Sequence, residues 1–170
     1  MDIRRENYGA PAPQALAAAL EEELLGRYEG AGGSGPEPPA SDFEPPGGVF
    51  LVLWEGEAPV ACGGICRYDE ATAELRRMFV APEARGRGLS RALLGALEEE
   101  ARSLGYAFVR LETGDRQPEA IALYVSSGYA PIPRFGPFAD DGRSVCLEKR
   151  LGASAARSPG GRRRRRGPSP

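Results

Sequence analysis

The stretch at 79–105 constrains the chain more than any other. Phe-Val-Ala-Pro-Glu-Ala-Arg-Gly-Arg-Gly-Leu-Ser runs directly into Arg-Ala-Leu-Leu-Gly-Ala-Leu-Glu-Glu-Glu-Ala-Arg-Ser-Leu-Gly. Met78, Phe79 and Val80 form an apolar strand end. Leu89, Ala92, Leu93, Ala96, Leu97, Ala101 and Leu104 then recur at spacings of three and four, which predicts a helix with one apolar face. Gly105 stands where a left-handed capping residue ends such a helix. Between strand and helix lies a short loop with two arginines and two glycines. A helix N-terminus presents unpaired N–H groups and the positive end of its dipole, so this loop describes an anion site. Gly86 and Gly88 allow close approach of backbone to ligand, and Arg85 and Arg87 add bidentate donors suited to phosphate. The pattern predicts a pyrophosphate on this loop.

The rest of the chain supplies the elements such a loop needs. Residues 2–6 read as a short strand, and 14–28 as a helix with Leu16, Leu20, Leu24 and Tyr28 on one stripe. Gly, Pro, Ser and acids dominate 29–48, which predicts a flexible surface loop over a cleft, too poor in apolar area to order itself. Residues 49–54 and 59–67 read as a β-hairpin, and 73–80 as the strand that feeds the basic loop. After the long helix, 107–113 is β-rich, as in a parallel crossover. Pro118 opens a second helix that Gly128 closes. Residues 129–138 are extended and broken by prolines, and 143–151 form a last strand. The order implies one α/β domain over 1–151, a mixed, mostly antiparallel sheet with helices on its faces. Residues 152–170 read as a disordered arginine-rich tail.

Composition removes several function classes. No apolar run approaches the roughly 18–20 residues needed to span a bilayer. The first residues lack the apolar core of a secretory signal, so a cytoplasmic protein is expected. With no histidine in the chain, acid–base work must fall to Glu, Asp, Tyr or Cys. Three cysteines (Cys62, Cys66, Cys146) form no disulfide framework, and without histidine the supply of metal ligands is thin, so no metal is expected. Residues 152–170 carry six arginines and no acid, so the overall charge of −2 leaves −8 on the remainder. An acidic folded part disfavours nucleic acid and favours a cationic acceptor such as an amine. The tail leaves a nucleic-acid association as an alternative. A Walker-type site is excluded because no Gly-Lys-Ser/Thr follows, and a dinucleotide fingerprint because the loop follows a hairpin rather than opening a first βαβ unit.

Arg85-Gly86-Arg87-Gly88-Leu89-Ser90 resembles the Arg/Gln-x-x-Gly-x-Gly/Ala loop of the GNAT superfamily of acyl-CoA-dependent N-acetyltransferases, with Ser90 where Gly or Ala is usual. Leu-Arg-Arg-Met-Phe-Val-Ala-Pro-Glu before it is similar to that superfamily's strand-and-bulge entry. Leu111-Glu-Thr-Gly and Glu119-Ala-Ile-Ala-Leu-Tyr-Val-Ser-Ser-Gly-Tyr129 look like its second segment. The resemblance implies a central sheet that splays to admit acetyl-CoA. The pantetheine arm would lie along Met78, Phe79 and Val80, the pyrophosphate on Arg85, Gly86, Arg87, Gly88, Leu89 and Ser90, and Gln117 would touch the cofactor arm.

The same resemblance implies direct transfer to an amine: a small molecule, a peptide or protein N-terminus, or a lysine. The Val80 N–H would polarise the thioester carbonyl and Tyr124 would protonate the leaving thiolate. Glu112 matches a position that carries the base in some members, with Glu74 on the neighbouring strand, or a water, as alternatives. Direct transfer needs no thiol nucleophile, so Cys66 and Cys146 have no required role. Specificity for the acceptor is expected from the 29–48 loop, Trp54 and 131–138. A catalytically silent acyl-CoA-binding module is the other reading, and many relatives pair as homodimers.

Overall fold

The computed structural model describes residues 1–29 and 36–152. The arginine tail, from residue 153 on, lies outside the described residues, as does the 30–35 part of the predicted loop. Among the described residues seven strands form one sheet: β1 (Asp2–Arg5), β2 (Val49–Glu55), β3 (Ala58–Arg67), β4 (Thr72–Val80), β5 (Phe108–Gly114), β6 (Ala130–Pro131) and β7 (Ser144–Arg150). Their order across the sheet is β1-β2-β3-β4-β5-β7-β6. Every neighbouring pair is antiparallel except β4 and β5, the parallel pair joined through the long helix. Among the described residues three α-helices complete the fold: α1 (Pro11–Arg27), α2 (Leu89–Ser103) and α3 (Pro118–Ser126).

Strand β2 shows why both faces of this sheet are covered. Val49, Leu51 and Leu53 point to one side and pack with Leu93, Leu97 and Ala101 of α2. Phe50 and Val52 point to the other and pack with Leu16, Leu20 and Leu24 of α1. A strand buried on both faces reads as a continuous apolar run rather than an alternating one. The predicted face of α2 is the buried one, widened by Leu94 and Glu98. Leu97 is 1 % exposed, and truncating such a leucine to alanine costs about 2–5 kcal/mol.

Two irregularities in β4 make the cleft. First, Cys62 pairs with Phe79 and Gly64 with Arg76, so Gly63 opposes two residues, Arg77 and Met78. The extra residue is a β-bulge, and Arg77 adopts φ 58°, where a non-glycine residue is strained. The bulge also resets the alternation. Ala73 and Leu75 face α2, and beyond the bulge Met78 and Val80 pack on that side instead of Arg77. Second, β4 and β5 pair only over Thr72–Leu75 and Phe108–Leu111. Past that point β4 stays with β3 while β5 stays with β7, down to Gly114 opposite Ser144. The strands part, and the gap between 76–80 and 112–114 opens between α1 and α3.

One prediction fails for part of its range. Residues 36–48 of the expected flexible loop include a 3-10 turn, Ala40–Phe43, whose Phe43 is 2 % exposed. Its ring meets Tyr8 at 4.8 Å and Phe50 at 5.2 Å. Composition averages hid this single aromatic anchor. The contact also depends on Gly64 of β3, where an added Cβ would lie 2.6 Å from the Phe43 ring.

Candidate active site

The basic loop is built as its sequence requires. Gly86 and Gly88 sit at φ 74° and 77°, left-handed conformations that L side chains resist. Gly88 is also the N-cap of α2 and has no side chain to cap with, so the start of that helix, whose Gly88, Leu89 and Ser90 line the cavity described next, carries no capping oxygen. Arg85 donates from Nε to the Val80 carbonyl at 2.9 Å and pairs through Nη2 with Glu23 of α1 at 2.5 Å. The Arg87 guanidinium turns away to Glu55, at 2.5 and 2.9 Å.

A cavity of about 250 Å³ lies between this loop, β4, α1 and α3. Met78, Phe79, Val80, Arg85, Gly86, Gly88, Leu89, Ser90 and Gln117 all line it; of the predicted cofactor residues, Arg87 alone does not. Ala81 donates its N–H to Val60 at 2.9 Å. In an antiparallel ladder every second residue bonds the same neighbour, so the Val80 N–H is directed away from β3, toward the gap. Gln117 is the N-cap of α3, yet its side chain makes no capping bond and borders the cavity instead.

A second cavity, about 320 Å³, lies deeper along the gap and shares Leu20, Met78, Gln117, Ala120 and Tyr124 with the first. Here the walls are charged. Glu74 and Arg76 come from β4, Glu112 from β5, and Asp141 and Arg143 from the turn before β7. Ser144 Oγ donates to Glu112 Oε1 at 2.7 Å, and Glu74 stands 3.7 Å from Arg76. Burial pushes both carboxyls above the usual glutamate value, against the hydrogen bond from Ser144 for Glu112 and the charges of Arg76 and Arg110 for Glu74. Each carboxylate is thereby a better proton acceptor than a surface glutamate. Tyr124 is 7 % exposed and its hydroxyl donates to Met78 Sδ at 3.6 Å, a weak partner. Burial raises this phenol well above its ordinary value, so it keeps its proton.

Several features of this chamber could not be read from the sequence. Arg77, buried within the bulge, pairs with Glu21 of α1 and Glu37 of the following loop, while Tyr8 donates to Glu37. Arg76 donates to the Pro36 carbonyl at 2.9 Å. Two adjacent arginines thus tie α1 and the 36–43 segment to β4. Trp54 lines neither cavity; its indole N–H donates to Glu6 at 2.6 Å at the far end of β2. Of 131–138, Phe138 borders the charged chamber. The three cysteines are buried and unbridged. Burial lifts the Cys62 and Cys66 thiols to about 12 and raises Cys146 as well, so none offers a thiolate near neutrality.

Among the described residues, no helix is long and apolar enough to cross a membrane. Residues 5–129 match the sequence pattern of the acetyltransferase (GNAT) family. An IAA acetyltransferase of Azospirillum brasilense is 43 % identical over 103 residues, covering 60 % of this chain and 67 % of that protein. A solved Klebsiella pneumoniae protein, assigned to the acyl-CoA N-acyltransferases, superposes with TM-score 0.75 at 31 % identity, covering 89 % of this chain and 97 % of that one. An Elizabethkingia anophelis family member, solved with acetyl-CoA bound, shares the fold at TM-score 0.65 and 18 % identity, over 88 % and 97 % of the two chains. By sequence and by fold, the chain belongs to the GNAT acetyltransferase family.

Proposed function

We propose that the protein transfers the acetyl group of acetyl-CoA to a primary amine by direct attack. The observation that carries this reading is the wall shared by the two cavities: Tyr124 and Met78 border both. A donor lying in the loop chamber and an amine in the charged chamber would meet there. The uncapped start of α2, two left-handed glycines and the Arg85 guanidinium fit a pyrophosphate. Leu89 and Ser90 close that end, and Arg87 would join by leaving Glu55. The apolar edge Met78–Val80 and Gln117 suit the pantetheine arm.

Acetyl-CoA supplies the thioester carbon, with its sulfur as leaving group. The chain's own residues handle charge and protons. The Val80 N–H, directed into the gap, would stabilise the negative charge that the carbonyl oxygen gains, a role that needs backbone geometry alone. Glu112 takes the proton that the ammonium must lose before it can attack, directly or through a water; Glu74 is the alternative base. Tyr124, held protonated by burial, returns a proton to the departing thiolate. The ammonium gives one proton to Glu112, which passes it to solvent; as the N–C bond forms and the C–S bond breaks, the nitrogen loses a second proton, which replaces the one Tyr124 gives to sulfur. No cysteine takes part.

The test follows thiol release from acetyl-CoA with a panel of amines, and checks each product for the mass of one added acetyl group. Amine-dependent release that falls in Tyr124→Phe and Glu112→Gln supports the reading. Binding of acetyl-CoA with no transfer to any amine would identify an acyl-CoA-binding module instead.

A further inference from the structure

The charged chamber also bears on which amine enters it. Three arginines line that cavity, and two are committed. Arg76 bonds Pro36 and lies against Glu74, and Arg77 is held by Glu21 and Glu37. Arg143 differs. Its guanidinium lies 5.7 Å over the Tyr28 ring and, among the described residues, makes no ion pair or hydrogen bond. Its backbone, by contrast, is held firmly. Asp141 Oδ1 accepts the Arg143 N–H at 2.9 Å, and the Arg143 carbonyl accepts from Asp115 at 2.9 Å. Arg134 braces the same turn through the Gly142 and Ser144 carbonyls, both at 3.1 Å. A turn fixed at four points thus presents one uncommitted cation to the chamber. Glu112 on β5 and Glu74 on β4 line the same chamber, and Ser144, next to Arg143 in the chain, donates to Glu112.

We infer that the acceptor is a small amine carrying its own anionic group, which Arg143 grips while the amine faces Glu112. A guanidinium fork on a fixed backbone suits a carboxylate or a phosphate. The volume of about 320 Å³ admits a molecule of amino-acid size, and Tyr28 and Phe138 give it an apolar wall. This assignment rests on the transferase reading above. The rival occupant of a chamber with three carboxylates is a polycationic amine, and Arg143 opposes it.

The experiment measures acetyl transfer to matched amines: phenylalanine against phenylalaninamide, phosphoethanolamine against ethanolamine, and putrescine. Each is run with the wild-type protein and with Arg143→Gln and Arg143→Lys. Comparing the ratio within a pair between wild type and variant cancels the pair's own difference in amine basicity. The expected result is a preference for one anionic partner that falls tenfold or more in Arg143→Gln, the change appearing in KM rather than kcat. Arg143→Lys recovers part of it. The pair that responds distinguishes carboxylate from phosphate. Preference for putrescine, or ratios unchanged in Arg143→Gln, overturns the assignment while leaving the transferase reading intact. No transfer to any amine, with acetyl-CoA still raising the melting temperature, overturns both.

Discussion

The two chambers meet at Tyr124 but are made in opposite ways. The loop chamber takes most of its wall from one continuous run, Met78 to Ser90, and works largely through backbone: left-handed glycines, an uncapped helix and an outward N–H. The charged chamber draws side chains from α1, β4, β5, α3 and the turn before β7. Backbone features of one short run would suit a ligand part that stays constant. Side chains gathered from distant segments can change one at a time, which would suit tuning to a particular acceptor. On the transferase reading proposed above, the first chamber would hold the common donor and the second would set specificity.

The sharpest way to break this contrast is to disable chemistry without touching donor binding. Glu112→Gln should lower kcat by about 10²–10⁴, the range for a positioned proton acceptor, while the melting shift caused by acetyl-CoA persists. The rate limb that rises with pH through the elevated Glu112 value should vanish in the variant. Stability moves the other way. Burial raises the folded-state values of Glu112 and Glu74 above the free glutamate value, so the native state holds extra protons. The protein should therefore lose stability as pH climbs from the ordinary glutamate range through those raised values, and lose less in Glu112→Gln. An unchanged pH profile would move the base to Glu74 or to water.

Next in size is Phe43→Ala, expected to cost about 3–5 kcal/mol in denaturant unfolding as a buried aromatic is removed. Where the variant stays folded, acceptor KM should rise through the Pro36 and Glu37 tethers while acetyl-CoA affinity holds. Equal loss in both would show that the chambers are not independent. The smallest effect belongs to Glu23→Gln. Glu23 holds Arg85 before any phosphate arrives, and a part-exposed ion pair contributes about 0–1 kcal/mol. Freeing the arginine should tighten acetyl-CoA binding by a few-fold in a calorimetric titration, with acceptor KM unmoved.

Legibility followed the same division. The loop, the helix it caps, the hairpin and the parallel crossover were written in local patterns, apolar spacing with glycine at left-handed positions, and the structure places them within a few residues of where those patterns end. Tyr124 and Glu112 came from resemblance to a family, since neither a tyrosine on a helix nor a glutamate on a strand signals chemistry by itself. Arg143, Asp141 and the Arg77–Glu37 tether had no local signal. They become neighbours only after β5 and β7 pair and β4 bulges, and one more arginine in an arginine-rich chain is not conspicuous. Phe43 was missed for a related reason: a segment of Gly, Pro and acids averages as unfoldable, although one ring in the right slot anchors it.

The central claim is that acetyl-CoA lies on the basic loop, and the most direct measurement is a thermal melt with and without it, on wild type and on Arg85→Glu. At about 100 times its dissociation constant a ligand adds roughly 2.7 kcal/mol. For a chain of this length that corresponds to about 5–10 °C. A rise of that size in the wild type, absent at the same concentration in Arg85→Glu, is the predicted result. No rise in the wild type at millimolar acetyl-CoA, or an equal rise in the variant, would contradict it.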